Sequence, residues 1–249
     1  VQALKGVSLD LYAGEVLALM GENGAGKSTL MNILSGSLQP TAGEIYLRGE
    51  KVTVADPITA KKLGISKIHQ ELQIVPELSV AENIFLGRWM TKAGPAVDFK
   101  GMMREAQKYL DMLEVKVSPA EKLKNLRIGE QQLVEIAKAI SLNSQIIVMD
   151  EPTSAISEKE AERLFDIIRR LRSEGKGIIY ITHRMEEIFK IADRLTVMRD
   201  GEYIGTVNAS ETTKDEIIRM MVGRDMSEQY PKDPTEKGEI ALEVKNLTY

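Results

Sequence analysis

Cysteine is absent from the 249 residues. That excludes a disulfide framework, a thiolate metal site and a thiol nucleophile, and it fits a reducing compartment. Aromatic residues are scarce at 5%, so the hydrophobic content (43%) rests on 12 methionines and small aliphatic side chains. Such an apolar fraction is ordinary for a globular protein and argues against wholesale disorder. Long apolar runs are missing too. The longest, such as Val16–Met20 and Ile146–Met149, are strand-sized pieces, far short of the ~20 residues that cross a bilayer. We expect no secretory leader, because Val1 runs straight into Leu4-Lys5-Gly6-Val7-Ser8-Leu9, and Val at position 1 places the natural start upstream. The chain also lacks a basic excess. A formal charge of −4 argues against a dedicated polyanion binder. The deficit is local: Glu202–Tyr249 holds ten acidic and six basic residues, and the remaining 201 balance at 27 of each.

What is present alternates between strand and helix. Val7–Leu11 alternates in polarity, Gly14 turns the chain, and Glu15–Met20 is a short buried-strand run. Gly21–Gly26 is a glycine-rich loop, and Lys27–Ser35 places Leu30, Ile33 and Leu34 at helical spacing before the stop signal Gly36. Pro40-Thr41-Ala42-Gly43 reads as a turn before a strand at Glu44–Arg48, and Ile65–His69 as another strand. Residues 72–144 then read as mostly helical. Met103, Ala106, Leu110 and Leu113 form one stripe, Leu133, Ile136, Ala137 and Ile140 a second, with a loop at Thr91–Pro95. Strand–helix alternation resumes with Ile146–Met149, helix Lys159–Ser173, strand Ile178–Thr182, helix Met185–Ala192 and strand Arg194–Arg199, followed by the hairpin signal Asp200-Gly201. Such alternation predicts a mostly parallel sheet covered by helices, with the helical stretch as an inserted subdomain. Asp225–Gly238, charged and carrying Pro231 and Pro234, has linker chemistry, and Glu239–Tyr249 regains strand alternation.

Gly21-Glu22-Asn23-Gly24-Ala25-Gly26-Lys27-Ser28 fits the pattern G-x-x-x-x-G-K-[ST]. Glycines let backbone N–H groups turn inward around phosphate oxygens, and the helix that follows adds its positive end. Lys27 reaches the β- and γ-phosphates of a nucleotide, and the Ser28 hydroxyl ligates Mg²⁺. A bland alternative is a strand–helix turn with an exposed lysine; the preceding strand and following helix argue for the phosphate site. A second element is the strand Ile146–Met149 ending in Asp150-Glu151. Ligands gather at the carboxyl ends of parallel strands, so Asp150 is placed to hold Mg²⁺ and Glu151 to act as general base on an attacking water. Gln70 and His183 also close strands. They are candidates for linking Mg²⁺ to the helical subdomain and for contacting the γ-phosphate, although a lone residue of either kind is more often structural.

Taken together these residues resemble an ATP-binding cassette (ABC) ATPase. Six motifs occur in order: Gly21–Ser28 (Walker A), Gln70 (Q-loop), Leu126-Arg127-Ile128-Gly129-Glu130-Gln131-Gln132 (signature), Ile146–Asp150 with Glu151 (Walker B), Ser154-Ala155-Ile156-Ser157 (D-loop) and Thr182-His183-Arg184 (H-loop). The resemblance implies an α/β P-loop NTPase core with a mostly parallel sheet, an inserted helical subdomain and antiparallel β elements near the N-terminus. It also implies ATP and Mg²⁺ as ligands, with Gly21–Ser28, Thr29 and Gln70 binding ATP, and Ser28, Asp150 and Gln70 serving the metal. Lys27, Glu151 and His183 become the catalytic set. Leu126–Glu130 would complete the ATP site of a partner cassette.

Three further stretches resemble monosaccharide importers of the ribose, galactose, xylose and arabinose type: Glu82–Gly87, Val134–Ala139 and His183–Phe189. In that group one polypeptide carries two cassettes. Residues 1–237 then read as the first cassette, with a C-terminal helical and linker part over 206–237, and 238–249 as the first strand of the second. That strand would end in an adenine-stacking aromatic, and whether 240–249 instead docks before Val1 is open. Implied partners are the second cassette (or a second copy of the chain), a membrane permease and, indirectly, a periplasmic or extracellular sugar-binding protein, with no nucleic acid. The implied location is the cytoplasmic face of the membrane, where Glu71–Trp89 would dock the permease. Two residues depart from the family pattern. Arg127-Ile128 stands where Ser-Gly is usual, and Ser157 where Asp is usual, so the two ATP sites of the pair should be unequal. The alternatives fit less well. Lys27 and Asp150 are too close for chromosome-type coiled-coil arms, the acidic tail disfavours a ribosome-bound relative, and a small-molecule kinase leaves Leu126–Gln132 and His183 unexplained.

Overall fold

The computed structural model describes residues 2–70, 72–92 and 96–223. The expected linker and the strand at 238–249 therefore lie outside the described residues, as do Glu71 and residues 93–95 of the Thr91–Pro95 loop.

Six strands form the main sheet: β1 (Val16–Met20), β4 (Ile65–Ile68), β5 (Ile146–Asp150), β6 (Gly177–Ile181), β7 (Arg194–Arg199) and β8 (Glu202–Asn208). Their order is β4-β5-β6-β1-β7-β8; every neighbouring pair is parallel except β7–β8. That last pair is the hairpin expected at Asp200-Gly201, where both residues have positive φ (52° and 79°), the geometry of a two-residue primed turn. A separate antiparallel pair, β2 (Ile45–Leu47) and β3 (Glu50–Val52), supplies the N-terminal β element. The central strands are apolar on both faces because helices cover both.

Among the helices, α1 (Lys27–Leu34) follows β1 and α2 (Pro57–Lys62) precedes β4. Between β4 and β5 come α3 (Val80–Ile84), α4 (Phe99–Met112), a 3₁₀ turn at Leu123–Asn125, and α5 (Ile128–Ser141), the expected helical insert. The remaining helices are α6 (Glu158–Ser173), α7 (Met185–Ile191) and α8 (Lys214–Val222). Local chemistry sets their starts. Ser79 and Ser157 each form a reciprocal cap with the Glu three residues on, and Asp56 caps α2 just before Pro57.

The insert is joined to the sheet by one continuous apolar cluster. It takes in Val80, Ile84, Met102, Leu110 and Ile136 from the insert and Ile68, Met149, Ile178 and Tyr180 from the strands. Each such side chain, fully buried, contributes roughly 1.5–3 kcal/mol. Two details differ from the sequence reading. On α4 the expected Ala106 and Leu110 are buried, as is Leu113 just after it, but Met102 is fully buried beside them whereas Met103 is only partly buried against the same cluster. Val7–Leu11 keeps its alternation, with Val7, Leu9 and Leu11 against the cluster of Leu19 and Met31, but forms no strand; alternation chooses a buried face, whereas a strand also needs a paired ladder.

Candidate functional site

Register brings the functional strand ends level. Leu19 of β1 and Asp150 of β5 both lie opposite Ile181 of the intervening β6, and Ile68 of β4 lies opposite Met149. The residues just past these ends, Gly21, Gln70, Glu151 and His183, therefore open onto one edge of the sheet, where a parallel sheet gathers ligands.

From β1 the chain enters the glycine loop. Gly21 has φ 155° and Gly26 φ 95°. A Cβ on Gly21 would lie 2.2 Å from the Met198 carbonyl oxygen, and one on Gly26 would lie 2.8 Å from that of Ala3, so neither position admits a side chain. Gly26 caps α1 without a side chain, and the first turn of α1 holds no acidic residue. The N–H groups and positive end of the helix are thus uncontested, as an anion site requires. The Lys27 ammonium folds back over the loop and donates to the carbonyls of Gly21 (2.7 Å) and Glu22 (2.9 Å). Burial pushes the Lys27 ammonium down from its usual pKa, opposed by the nearby charges of Asp150 and Glu151. Glu22, Asn23 and Gly24 are exposed along the loop, Ala25 is buried beneath it, and Ser28 and Thr29 stand in the first turn of α1.

Across the sheet edge, β5 delivers the two carboxylates. Asp150 is buried, which raises its pKa, with Lys67 the main opposing charge. Glu151 sits at φ 47°, a left-handed conformation uncommon outside glycine, with its N–H bonded to the Ile181 carbonyl at 2.9 Å. This kink, next to Pro152, turns the side chain out of the sheet. Its Oε1 lies 3.2 Å from His183 Nδ1, and its Oε2 accepts from Gln70 Nε2 at 3.5 Å. Three residues from three strand ends thus meet at one carboxylate.

Two supporting groups were not anticipated from the sequence. Lys67 Nζ donates to Asn32 Oδ1 (2.9 Å) and lies 3.6 Å from Asp150 Oδ2, with the two charged side chains only 5% and 8% exposed. The available signal was a charge inside the apolar run Ile65–Ile68. The second is Glu187, buried on α7. Its carboxylate accepts from Thr153 Oγ1 (2.8 Å), Tyr180 OH (2.8 Å) and Thr182 Oγ1 (2.9 Å), and Arg184 Nη1 stands 3.4 Å away. This ties the turn after Glu151 to both neighbours of His183. No local pattern marks such a residue.

Among the described residues there is no cluster of three or more His, Asp or Glu side chains able to hold a metal by themselves. The oxygen-rich set at this edge (Ser28, Gln70 and Asp150) still fits Mg²⁺, which is normally held by one or two carboxylates together with substrate phosphates and water.

Leu126–Glu130 leads into and opens α5. The Glu130 carboxylate accepts from the Arg127 N–H at 2.9 Å, the Arg127 side chain is 91% exposed, and Ile128 is also exposed. Gly129 is pressed against the Ala155 carbonyl, where a Cβ would approach to 2.9 Å. No hydrogen bond or ion pair among the described residues joins Arg127–Glu130 to Gly21–Ser28. Ser157 caps α6, so the residue in place of the usual Asp still does a helix-capping task. In the stretch 72–89 the buried side chains are confined to Ser79–Phe85, Val80, Ala81 and Ile84 among them. Val75 and Trp89 are exposed, the latter 6.3 Å from the Phe99 ring.

Comparison with known proteins follows the same lines. The family model described as ABC transporter matches residues 4–154. The chain is 51% identical over its whole length to the ribose import ATP-binding protein RbsA of Caldanaerobacter subterraneus subsp. tengcongensis, covering 50% of that protein. It is 50% identical, again over its whole length, to a putative ribose/galactose/methyl galactoside import ATP-binding protein of Hahella chejuensis, covering 48% of it. The chain thus spans about half the length of the curated relatives it matches. Among solved structures it resembles a nucleotide-free ATP-binding cassette from an ABC transporter (28% identity, TM-score 0.72, 89% of each chain). It also resembles a dimeric post-hydrolysis cassette bound to ADP and Pi (28% identity, TM-score 0.73, 83% of this chain and 90% of that one).

Proposed function

The chain belongs to the ABC transporter family, and on that premise we propose that it is the first nucleotide-binding cassette of a tandem ATPase energising monosaccharide uptake through a membrane permease. The observation that carries the catalytic half of this reading is the Glu151 carboxylate, held between His183 and Gln70 beside the glycine loop.

ATP would lie along Gly21–Thr29, its phosphates facing the loop N–H groups and the start of α1. Lys27, released from the Gly21 and Glu22 carbonyls, would donate to the β- and γ-phosphates. Glu151 takes a proton from water as the water oxygen bonds to the γ-phosphorus and the bond from that phosphorus to the bridging oxygen breaks, releasing ADP and phosphate. His183 holds Glu151 and the γ-phosphate in line. Ser28, Asp150 and Gln70 would hold Mg²⁺, which when bound supplies neutralisation of the phosphate charge. Catalysis is thus mostly positioning and charge stabilisation.

Arg127 and Ile128, exposed at the start of α5, suit a role in the site of a partner cassette. With Arg127 and Ile128 in place of small residues, that second site is expected to be the weaker one. The protein would act at the cytoplasmic face of the membrane, with an external sugar-binding protein delivering the solute. Both relatives described above are import proteins, which supports transport over a ribosome-bound role. The test is co-purification of the full-length protein: a permease is expected, and recovery of ribosomes instead would contradict the reading.

A further inference from the structure

A lysine side chain that is only 5% exposed needs a reason to be inside, because lysine is almost never buried unless paired. Lys67 has two partners, one on the helix that follows the glycine loop and one at the end of β5. Its ammonium donates to Asn32 Oδ1 at 2.9 Å, one helical turn beyond Ser28 on α1, and stands 3.6 Å from Asp150 Oδ2. Through its backbone it pairs with Val148, two residues before Asp150, and it precedes Gln70 by three residues. One ammonium thus joins α1, β4 and β5, which respectively carry Ser28, lead into Gln70 and carry Asp150.

We propose that Lys67 is a resident cation of the metal site: it compensates and orients the buried Asp150 carboxylate when no metal is there, and it opposes Mg²⁺ at that carboxylate when metal arrives. The charges facing Asp150 are Lys67, Glu151 and Lys27. Lys27 is already engaged by the loop carbonyls, so Lys67 is the cation in contact with Asp150. A buried carboxylate without such a partner is costly. With Lys67 present, the buried carboxylate is compensated, and Mg²⁺ beside Asp150 would face a like charge in a poorly solvated setting where repulsion is weakly screened. Lys67 is a positioning residue on this account, since its side chain contacts Asn32 and Asp150 and not the loop. It would set the Mg²⁺ requirement for nucleotide binding rather than the chemistry.

This inference rests on the ATP-site reading above, and the experiment separates the two. Binding of a fluorescent ATP analogue is titrated with MgCl₂ at fixed pH and ionic strength for the wild-type chain and for Lys67→Met, Lys67→Gln and Lys67→Arg. The Mg²⁺ concentration for half-maximal binding is expected to fall about tenfold in the Met and Gln variants, from lost charge repulsion, and to stay near wild type in Arg. Gln keeps a donor for Asn32 and Asp150, so it reports the charge effect even if Met fails to fold. An unchanged or raised Mg²⁺ midpoint in the uncharged variants overturns the proposal, because a merely structural lysine would alter stability alone. A wild-type chain that binds no nucleotide at any Mg²⁺ concentration would instead overturn the ATP-site reading.

Discussion

His183 Nδ1 and Glu151 Oε1 lie 3.2 Å apart across the adjacent ends of β5 and β6. Asp150 pairs with Ile181 in that register, so each chain leaves its strand at the same level and the two side chains are brought together by the ladder itself. The contact depends on the sheet and not on a flexible loop closing.

If His183 orients Glu151 and the γ-phosphate, His183→Ala should lower ATP turnover by about 10²-fold, the low end of what a positioned acid–base partner contributes. Nucleotide affinity should change little. Steady-state ATPase rates beside equilibrium binding check the split; a loss confined to binding would reassign the residue.

Lys27→Ala should act on binding as well as turnover. Its ammonium is the cation folded over the loop, and losing a charge-assisted contact to phosphate should weaken ATP binding by about 10–100-fold. Isothermal titration with ATP and Mg²⁺ reads this directly. Because the wild-type ammonium is bonded to the Gly21 and Glu22 carbonyls, the substitution should also loosen the loop, seen as faster amide exchange there.

Glu187 predicts a stability effect. Glu187→Ala leaves the hydroxyls of Thr153, Tyr180 and Thr182 short of their common acceptor, which should cost about 3 kcal/mol. Urea unfolding measures it. A change below ~0.5 kcal/mol would mean that the network is not holding this corner together.

Tyr180 adds a pH dependence with a definite sign. Burial, and then the neighbouring Glu187 carboxylate, push its phenol well above the usual range. An unfolded tyrosine loses its proton near pH ~10 while the folded one keeps it, so unfolding is favoured as pH rises through about 10 and above. The urea midpoint should fall more steeply from pH ~9 to ~11 in the wild type than in Tyr180→Phe, which has no phenol to titrate. Parallel slopes would contradict this.

Much of the arrangement was legible in the sequence because its signals are local. The glycine loop, the carboxylate pair after Ile146–Met149 and the Asp200-Gly201 turn each declare themselves within a few residues, and the sheet then brings distant motifs level. Two kinds of feature were not legible. Val7–Leu11 has a strand's alternation, but pairing is decided by what lies beside a segment and not by its own pattern. Lys67–Asp150 and Glu187–Thr153 join residues far apart in the chain, and in sequence a buried charge looks like an exposed one. Glu151 falls between the two cases. Its place after the strand could be read, but its left-handed backbone and its contacts with Gln70 and His183 exist only in the folded sheet.

The central claim is that Glu151 is the base acting on water at a nucleotide bound by Gly21–Thr29. The most direct measurement is ATP hydrolysis and ATP binding by Glu151→Gln in the full-length protein, with the partner cassette's equivalent base neutralised so that only this site is scored. The amide keeps the shape of the side chain but cannot take the proton. The account predicts turnover reduced by about 10³-fold or more, with ATP bound at least as tightly as in the wild type. Turnover within a few fold of wild type would contradict it.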